Sequence, residues 1–174
     1  MCPSSDWDRV ERLYQRNKRR ILGTLVIMLE SQQDAQDALQ DSLIKAAKSI
    51  DRIRQSESTD SWFVKIAMNS ALDRIRKRSR TCMIPSGSFD DLATQHRAAV
   101  SPGTTPENAA LLSEAIGFLS SLPEKHRLAY LMRHFLGLPP SDIADILDCE
   151  SKHVSTYINR AQRAVERYFE DSGR

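Results

Sequence analysis

The chain has 174 residues, 40% of them hydrophobic and only six of them Gly. That length suits one or two small domains with modest cores, and the scarcity of Gly with no strong strand signal points to an all-α fold and against a sheet protein. The formal net charge of +2 conceals an uneven distribution: residues 1–80 carry 16 Lys/Arg against 11 Asp/Glu, residues 81–107 carry 1 against 3, and residues 108–174 carry 8 against 9, so the positive excess belongs to the first part of the chain.

Residues 6–29 are predicted as a first helix, because Val10, Leu13, Tyr14, Ile21, Leu22, Leu25, Val26 and Leu29 recur at helical spacing. The basic cluster 16–20 (RNKRR) interrupts that stripe and reads as a solvated face, and Gly23 weakens strict continuity. Ser31 or Asp34 caps a second helix reaching about Ile50, with Ala35, Ala38, Leu39, Leu43, Ala46, Ala47 and Ile50 inward. Its opposite face holds Gln33, Asp37, Gln40, Asp41 and Lys48, with acids early and Lys late, as the helix dipole favours. That face is either an ordinary solvated surface or a docking surface for a partner helix. Residues 51–60 (DRIRQSESTD) form a polar loop without Gly or Pro.

A third helix of about five turns is predicted over 61–80, SWFVKIAMNSALDRIRKRSR. It opens with Trp62, Phe63, Ile66 and Ala67, carries Asn69, Ser70 and Asp73 in its middle, and ends with Arg74, Arg76, Lys77, Arg78 and Arg80. Trp62, Ile66 and Asn69 share one side. Cations suit phosphates, and aromatic and polar groups suit bases; an amphipathic core helix with a solvated basic end is the plainer alternative. Residues 81–107, with Pro85, Gly87, Pro102, Gly103 and Pro106 among Ser and Thr, read as a flexible linker, with Phe89, Leu92 and Val100 as its apolar points.

The last part, 108–174, holds four predicted helices. Ala109, Leu112, Ala115, Ile116 and Leu119 make the first; Pro123 belongs in the first turn of the second. That second helix turns Leu128, Leu131, Met132, Phe135 and Leu136 inward and stops at Gly137 as a C′ glycine. A short helix over 141–147, a tight turn and a long helix to about Phe169 follow, the last with Val154, Ile158, Ala161, Val165 and Phe169 inward. Residues 141–163 have the spacing of a helix-turn-helix, with small Ala144 at the crossing. Such a motif puts Lys152, His153, Ser155, Thr156, Tyr157, Asn159 and Arg160 near a major groove: Lys152, Arg160 and Arg163 suit phosphates, and Ser155, Thr156 and Asn159 suit base edges. Plain helical bundles share this shape.

Catalysis finds no support. His96, His126, His134 and His153 have no Cys or carboxylate at metal or triad spacing, and no Gly-rich phosphate loop is present. Asp34, Asp37 and Asp41 lie on one helical face at i, i+3 and i+7, yet no second ligand cluster completes a metal site. Cys2, Cys82 and Cys149 are scattered and odd in number, so neither a disulfide framework nor zinc is expected, and reduced thiols in the cytoplasm are. The opening residues are polar and the longest apolar run, 25–29, is far too short for a bilayer, so no leader and no membrane insertion are expected. Neither cofactor nor metal is expected, and the chain is read as a non-enzyme.

Taken together, DAQDALQDSLIKAAKSIDRIR (34–54), WFVKIAMNSALDRIRKR (62–78) and LPEKHRLAYLMRHFLGLPPSDIADILDCESKHVSTYINRAQRAV (122–165) resemble a bacterial RNA polymerase sigma factor of the extracytoplasmic-function (ECF) group of the sigma-70 family. The likeness covers nearly the whole chain. It implies two small helical domains, 1–80 as sigma region 2 and 108–174 as region 4, joined by the linker 81–107. It implies core RNA polymerase and promoter DNA as partners. Asp34, Asp37, Gln40 and Asp41 would face the polymerase β′ clamp helices, and the second domain the β flap. Arg54, Gln55 and Ser56, in the loop that captures a flipped base, would act with Trp62, Asn69, Asp73, Arg74 and Lys77 on the −10 element; unstacking a base costs a few kcal/mol, which this surface must offset. Lys152, Ser155, Thr156, Tyr157, Asn159, Arg160 and Arg163 would act on the −35 element. Many members are held inactive by an anti-sigma factor, which the resemblance adds as a partner although no single residue points to one. The chain departs from the family pattern at Gln55 and Thr59 in the loop, at Pro139 and Pro140 before the helix-turn-helix, and at Ser155 and Tyr157, where basic residues are usual. A −35 preference unlike the common one and weak binding by the second domain alone are therefore expected. A stand-alone DNA-binding regulator using 141–163, and a helical interaction protein without nucleic acid, are the competing readings.

Overall fold

The computed structural model describes residues 3–52, 59–80 and 106–171. Among them are seven α-helices and no strand: α1 (Pro3–Leu29), α2 (Gln32–Ser49), α3 (Thr59–Arg80), α4 (Pro106–Ser121), α5 (Glu124–His134), α6 (Pro140–Leu147) and α7 (Ser151–Asp171), with a single 3-10 turn at Ile50–Arg52. The all-α expectation holds. The apolar stripes pack the helices into two modules, α1–α3 and α4–α7.

In the first module α1 runs unbroken for 27 residues. Gly23 does not interrupt it, and a Cβ there would meet nothing within 4 Å. The helix ends where Glu30 turns left-handed, at φ 53°, with its N–H on the Val26 carbonyl at 2.9 Å. Ser31, and not Asp34, is the cap of α2: its Oγ accepts the Asp34 N–H at 3.2 Å. Small buried Ala35, Ala38 and Ala46 let α2 lie close to its neighbours, and buried Ser42 donates its hydroxyl to the Ala38 carbonyl at 2.6 Å. From α3, Phe63, Val64, Ala67, Met68, Ala71 and Leu72 fill the core. Trp62 and Ile66 pack at its edge, and Asn69 is exposed. Asn17 is a buried polar group satisfied twice: its Nδ2 donates to the Leu13 carbonyl at 3.0 Å and to the Asp60 carboxylate. Asp60 stands in the first turn of α3, where the helix dipole favours an anion.

In the second module Leu128, Ala129, Leu131 and Met132 of α5 are buried. Pro123 precedes this helix as its N-cap and does not sit inside its first turn. The helix closes at Gly137, in the left-handed region at φ 70°, with the Leu138 N–H on the Met132 carbonyl at 3.1 Å. That turn overturns one expectation. Phe135 is 45% exposed, because the regular helix stops at His134 and the closing turn sends Leu136 and Leu138 into the core in its place. Pro140 opens α6, which buries Ile143, Ala144, Ile146 and Leu147, and Asp148 closes it in the left-handed region at φ 50°. Val154, Ile158 and Ala161 are the buried stripe of α7; Val165 and Phe169, expected inward, are only half-buried. The far end of α7 is fixed differently, by Tyr168 stacking on Phe118 with centroids 4.3 Å apart.

The modules touch. Arg127, buried in the second module, donates to Glu30 Oε1 at 2.8 Å and to the Ser120 carbonyl at 3.0 Å. Lys65 of α3 meets Asp142 of α6 at 3.0 Å. Between them an open cleft of about 540 Å³ is lined by Arg16, Asn17, Arg20, Asp60, Leu136 and Gly137, among others.

Candidate nucleic-acid interface

α2 and α3 pack side by side, and their facing polar residues pair in antiparallel order. Arg78 meets Asp34 and also donates Nη1 to the Leu29 carbonyl at 3.0 Å. Arg74 lies 2.7 Å from Asp41 and 3.8 Å from both Asp34 and Asp37. Lys45 reaches the Ser70 hydroxyl at 3.0 Å and the Asp73 carboxylate at 3.7 Å. As the number rises from 34 to 45 on α2, the partner's number falls from 78 towards 70 on α3. The helical spacing on each element produces this ladder, since i, i+3 and i+4 neighbours share a face.

The ladder joins residues that the sequence assigns to two different tasks. Asp34, Asp37 and Asp41 are not simply a solvated acidic face: they are the counter-ions of Arg74 and Arg78. Gln40 stays exposed beside them, and Ile44, one turn on, exposes 51% of its surface. Arg74 is half-buried, and its Nε is enclosed with no acceptor among the described residues. Asn69, Asp73 and Lys77 are exposed along α3, and Trp62 is half-buried at its start. Arg54, Gln55 and Ser56 lie outside the described residues, as does the linker 81–105.

On α7 the buried stripe leaves the opposite face to solvent. Lys152, Ser155, Thr156, Asn159, Arg160 and Arg163 are all exposed and Tyr157 is half-buried. Lys152 pairs with Glu150 at 2.6 Å, whereas Arg160 and Arg163 form no ion pair among the described residues. The Thr156 hydroxyl donates back to the Lys152 carbonyl at 3.2 Å. Tyr157 is held between two imidazoles, with His126 at 5.2 Å and His153 at 6.4 Å. Burial, and then the charge of Arg160, lower the pKa of His126 from its ordinary value, so a neutral ring lies beside Tyr157 at pH 7.

Sequence reasoning did not find Arg78 of the ladder, the buried Arg127, or the Glu30 and Lys65 contacts between modules. A weak signal existed for the first: Arg74 and Arg78 stand at i, i+4 opposite a row of aspartates at helical spacing. Among the described residues no three His, Cys, Asp or Glu side chains gather as metal ligands, and no helix is long and apolar enough to cross a membrane.

Two linked helical modules, the second built around a helix-turn-helix, define a class of DNA-reading proteins. Sigma-70 region 2 matches residues 13–81, and sigma-70 region 4 matches residues 114–165. The chain is 30% identical to the ECF RNA polymerase sigma-E factor of Haemophilus influenzae, over 88% of this chain and 84% of that one. It is 29% identical to the RNA polymerase sigma-H factor of Pseudomonas aeruginosa, over 96% and 95%. In fold it is similar to the sigma factor RpoE crystallised with the anti-sigma factor NepR from Bartonella quintana, with a TM-score of 0.70 at 18% identity over 92% of this chain and 96% of that one. It is also similar to CnrH in complex with the cytosolic domain of CnrY, with a TM-score of 0.62 at 16% identity over 97% and 92%. The chain belongs to the ECF group of the sigma-70 family. It is an alternative sigma factor, which directs promoter-specific transcription initiation.

Proposed function

We propose a division of labour within the two modules, with boundaries at 1–80, 81–107 and 108–174. α2 docks on the polymerase β′ clamp helices through Asp34, Asp37, Gln40 and Asp41, with Ile44 as an apolar contact among them. The loop residues Arg54, Gln55 and Ser56, together with Trp62, Asn69, Asp73, Arg74 and Lys77, engage and open the −10 element. The second module sits near the β flap and reads the −35 element with Lys152, Ser155, Thr156, Tyr157, Asn159, Arg160 and Arg163. The sigma factor itself forms no bond; it lends sequence recognition to the polymerase in the cytoplasm. An anti-sigma factor that binds both modules is a further partner of this reading.

The outer face of α7 carries the argument. Its polar residues stand exposed just after a short helix and a left-handed turn, as a recognition helix requires. No Lys or Arg stands between Lys152 and Arg160, where the exposed residues are His153, Ser155, Thr156 and Asn159, so affinity from this module alone is low and tethering by polymerase supplies the effective concentration. The −10 and −35 elements lie roughly 85 Å apart at about 3.4 Å per base pair. The modules touch in this structure, so reading both elements requires the Arg127–Glu30 and Lys65–Asp142 contacts to part. The 25 residues between Arg80 and Pro106 reach far enough, at about 3.3–3.6 Å each.

Run-off transcription with purified bacterial core polymerase, with and without the chain, tests this. The expected result is a new, defined start site that appears only when the chain is added. Association with polymerase and no change of start site overturns the promoter reading; binding of duplex DNA at full affinity without polymerase favours a stand-alone regulator.

A further inference from the structure

We propose that Arg74 is handed over: in the free chain it is the counter-ion of the α2 carboxylates, and when a cationic polymerase surface takes those carboxylates its guanidinium passes to a promoter phosphate. The inference rests on the docking reading given above. It adds a reason why docking and DNA binding depend on one another.

The seat of Arg74 is suited to release. Among the described residues only Asp41 makes a close contact, at 2.7 Å; Asp34 and Asp37 stand off at 3.8 Å. The Nε is shut away from solvent with no acceptor among the described residues, so the guanidinium is incompletely satisfied where it lies. The Asp37 and Asp41 side chains are 42% and 52% exposed, which leaves their outer oxygens open to an approaching Lys or Arg. Ion pairs this exposed are individually weak, and an arriving cation both competes for the oxygens and repels Arg74 across a few ångströms.

Arg78 behaves differently. It is anchored at two points, the Leu29 carbonyl and Asp34, and ties α3 to the end of α1. Among the described residues Arg74 has no backbone anchor. Lys77 stands three residues further along α3, on the same side, so a released Arg74 joins a cation already exposed there. An Arg stem is long enough to swing between the two positions, and its planar fork pairs as well with phosphate as with carboxylate. Because one guanidinium cannot hold both, docking and phosphate binding are linked, and the linkage is reciprocal.

A thermodynamic cycle tests the hand-over. Binding of the full chain to a labelled non-specific duplex is measured at low salt, where phosphate contacts dominate. Asp37→Asn with Asp41→Asn mimics the occupied carboxylates. It is expected to tighten duplex binding about five-fold, the low end of ordinary coupling, and to steepen the salt dependence by about one unit of slope. The same pair in an Arg74→Gln or Arg74→Met background is expected to do neither. The Met variant keeps the aliphatic stem, and circular dichroism checks that both fold. A gain that persists without Arg74 is a general charge effect and overturns the proposal, as does the absence of any gain. Run-off transcription by the unaltered chain is scored separately: activity there with a flat cycle sinks the hand-over alone, and no activity sinks the docking reading beneath it.

Discussion

α3 and α7 are nearly equal in length, 22 and 21 residues, and both are read as DNA-facing helices, yet they treat their charges in opposite ways. On α3, Arg74 and Arg78 are engaged by the aspartates of α2. On α7, Arg160 and Arg163 stand in solvent without an ion pair among the described residues. The first helix faces a row of carboxylates on α2, whereas α7 packs on α5 and α6 through Val154, Ile158 and Ala161, and no carboxylate among the described residues pairs with Arg160 or Arg163. A cation that is already paired is available to DNA only when its partner is taken away, whereas an unpaired one is limited only by how few such cations there are. The first module is therefore conditional, and the second is merely weak.

The strongest way to break this contrast is at the acidic side of the ladder. Asp37→Arg with Asp41→Arg is expected to lower core association at least about 100-fold, read by competition binding and by loss of run-off product. Each arginine meets Arg74 across the seam, so the ladder opens, but Phe63, Met68 and Leu25 remain buried and far-UV circular dichroism should stay helical. Unchanged transcription by that variant removes α2 from the docking surface.

The second module also holds charges locked against the first, Asp142 on Lys65 and, more deeply buried, Arg127 on Glu30. Glu30 occupies a left-handed backbone position that favours Gly. Glu30→Gly keeps that turn and deletes the carboxylate facing Arg127, whose side chain is only 10% exposed. Leaving a buried cation without its partner costs about 3–5 kcal/mol, so the modules are expected to separate and return Arg127 to water. A rise of several ångströms above the radius of gyration of about 16 Å expected for a compact chain of this length would appear in small-angle scattering. An unchanged radius assigns the contact to packing that does not need the pair.

Much of this was legible in the chain. Periodicity predicts every helix, because each buries a continuous apolar stripe, and Gly137 and Ala144 mark the turn and the crossing by their size alone. The face of the ladder was legible only in halves. The aspartates at 34, 37 and 41 show a common face, and Arg74 and Arg78 show another, but the register of α2 against α3 is set by long-range packing of Ala38, Ala46, Ala67 and Ala71. Nothing local encodes it. Phe135 departs from its expected place for a related reason: apolar spacing says that a residue is near the core, while the exit of the left-handed turn at Gly137 decides which neighbour enters it. Glu30 and Arg127 lie 97 positions apart, and no single-sequence pattern joins them.

Smaller effects sharpen the comparison helix by helix. Arg160→Ala is expected to weaken duplex binding by the free chain and to flatten its salt dependence by about one unit of slope per lost phosphate contact. Lys77→Ala should act in the same direction on α3. Arg74→Ala should leave the slope of the free chain unchanged and flatten it only in the polymerase complex. Equal effects of Arg74 and Arg160 in the free chain would erase the distinction between a paired and an unpaired cation.

The smallest expected effect is a pH dependence confined to the second module. His126 has its pKa lowered in the folded chain, by burial and then by Arg160, while the unfolded chain titrates near the ordinary value of 6.5. The unfolded state therefore binds the proton more readily as pH falls, and folding stability declines from just above 6.5 downwards. Protonation also puts a cation against Arg160 and beside the Tyr157 ring, on the face read as DNA-facing. Thermal unfolding followed from pH 7.5 to 5.5 should show the second module losing stability, by a modest amount because the site is partly open to water. His126→Gln should remove that slope and leave Phe63 and the first module untouched. The opposite slope, with greater stability in acid, would mean that a carboxylate and not Arg160 governs this histidine, and the α7 face would then have to be read as less cationic than its exposed arginines make it.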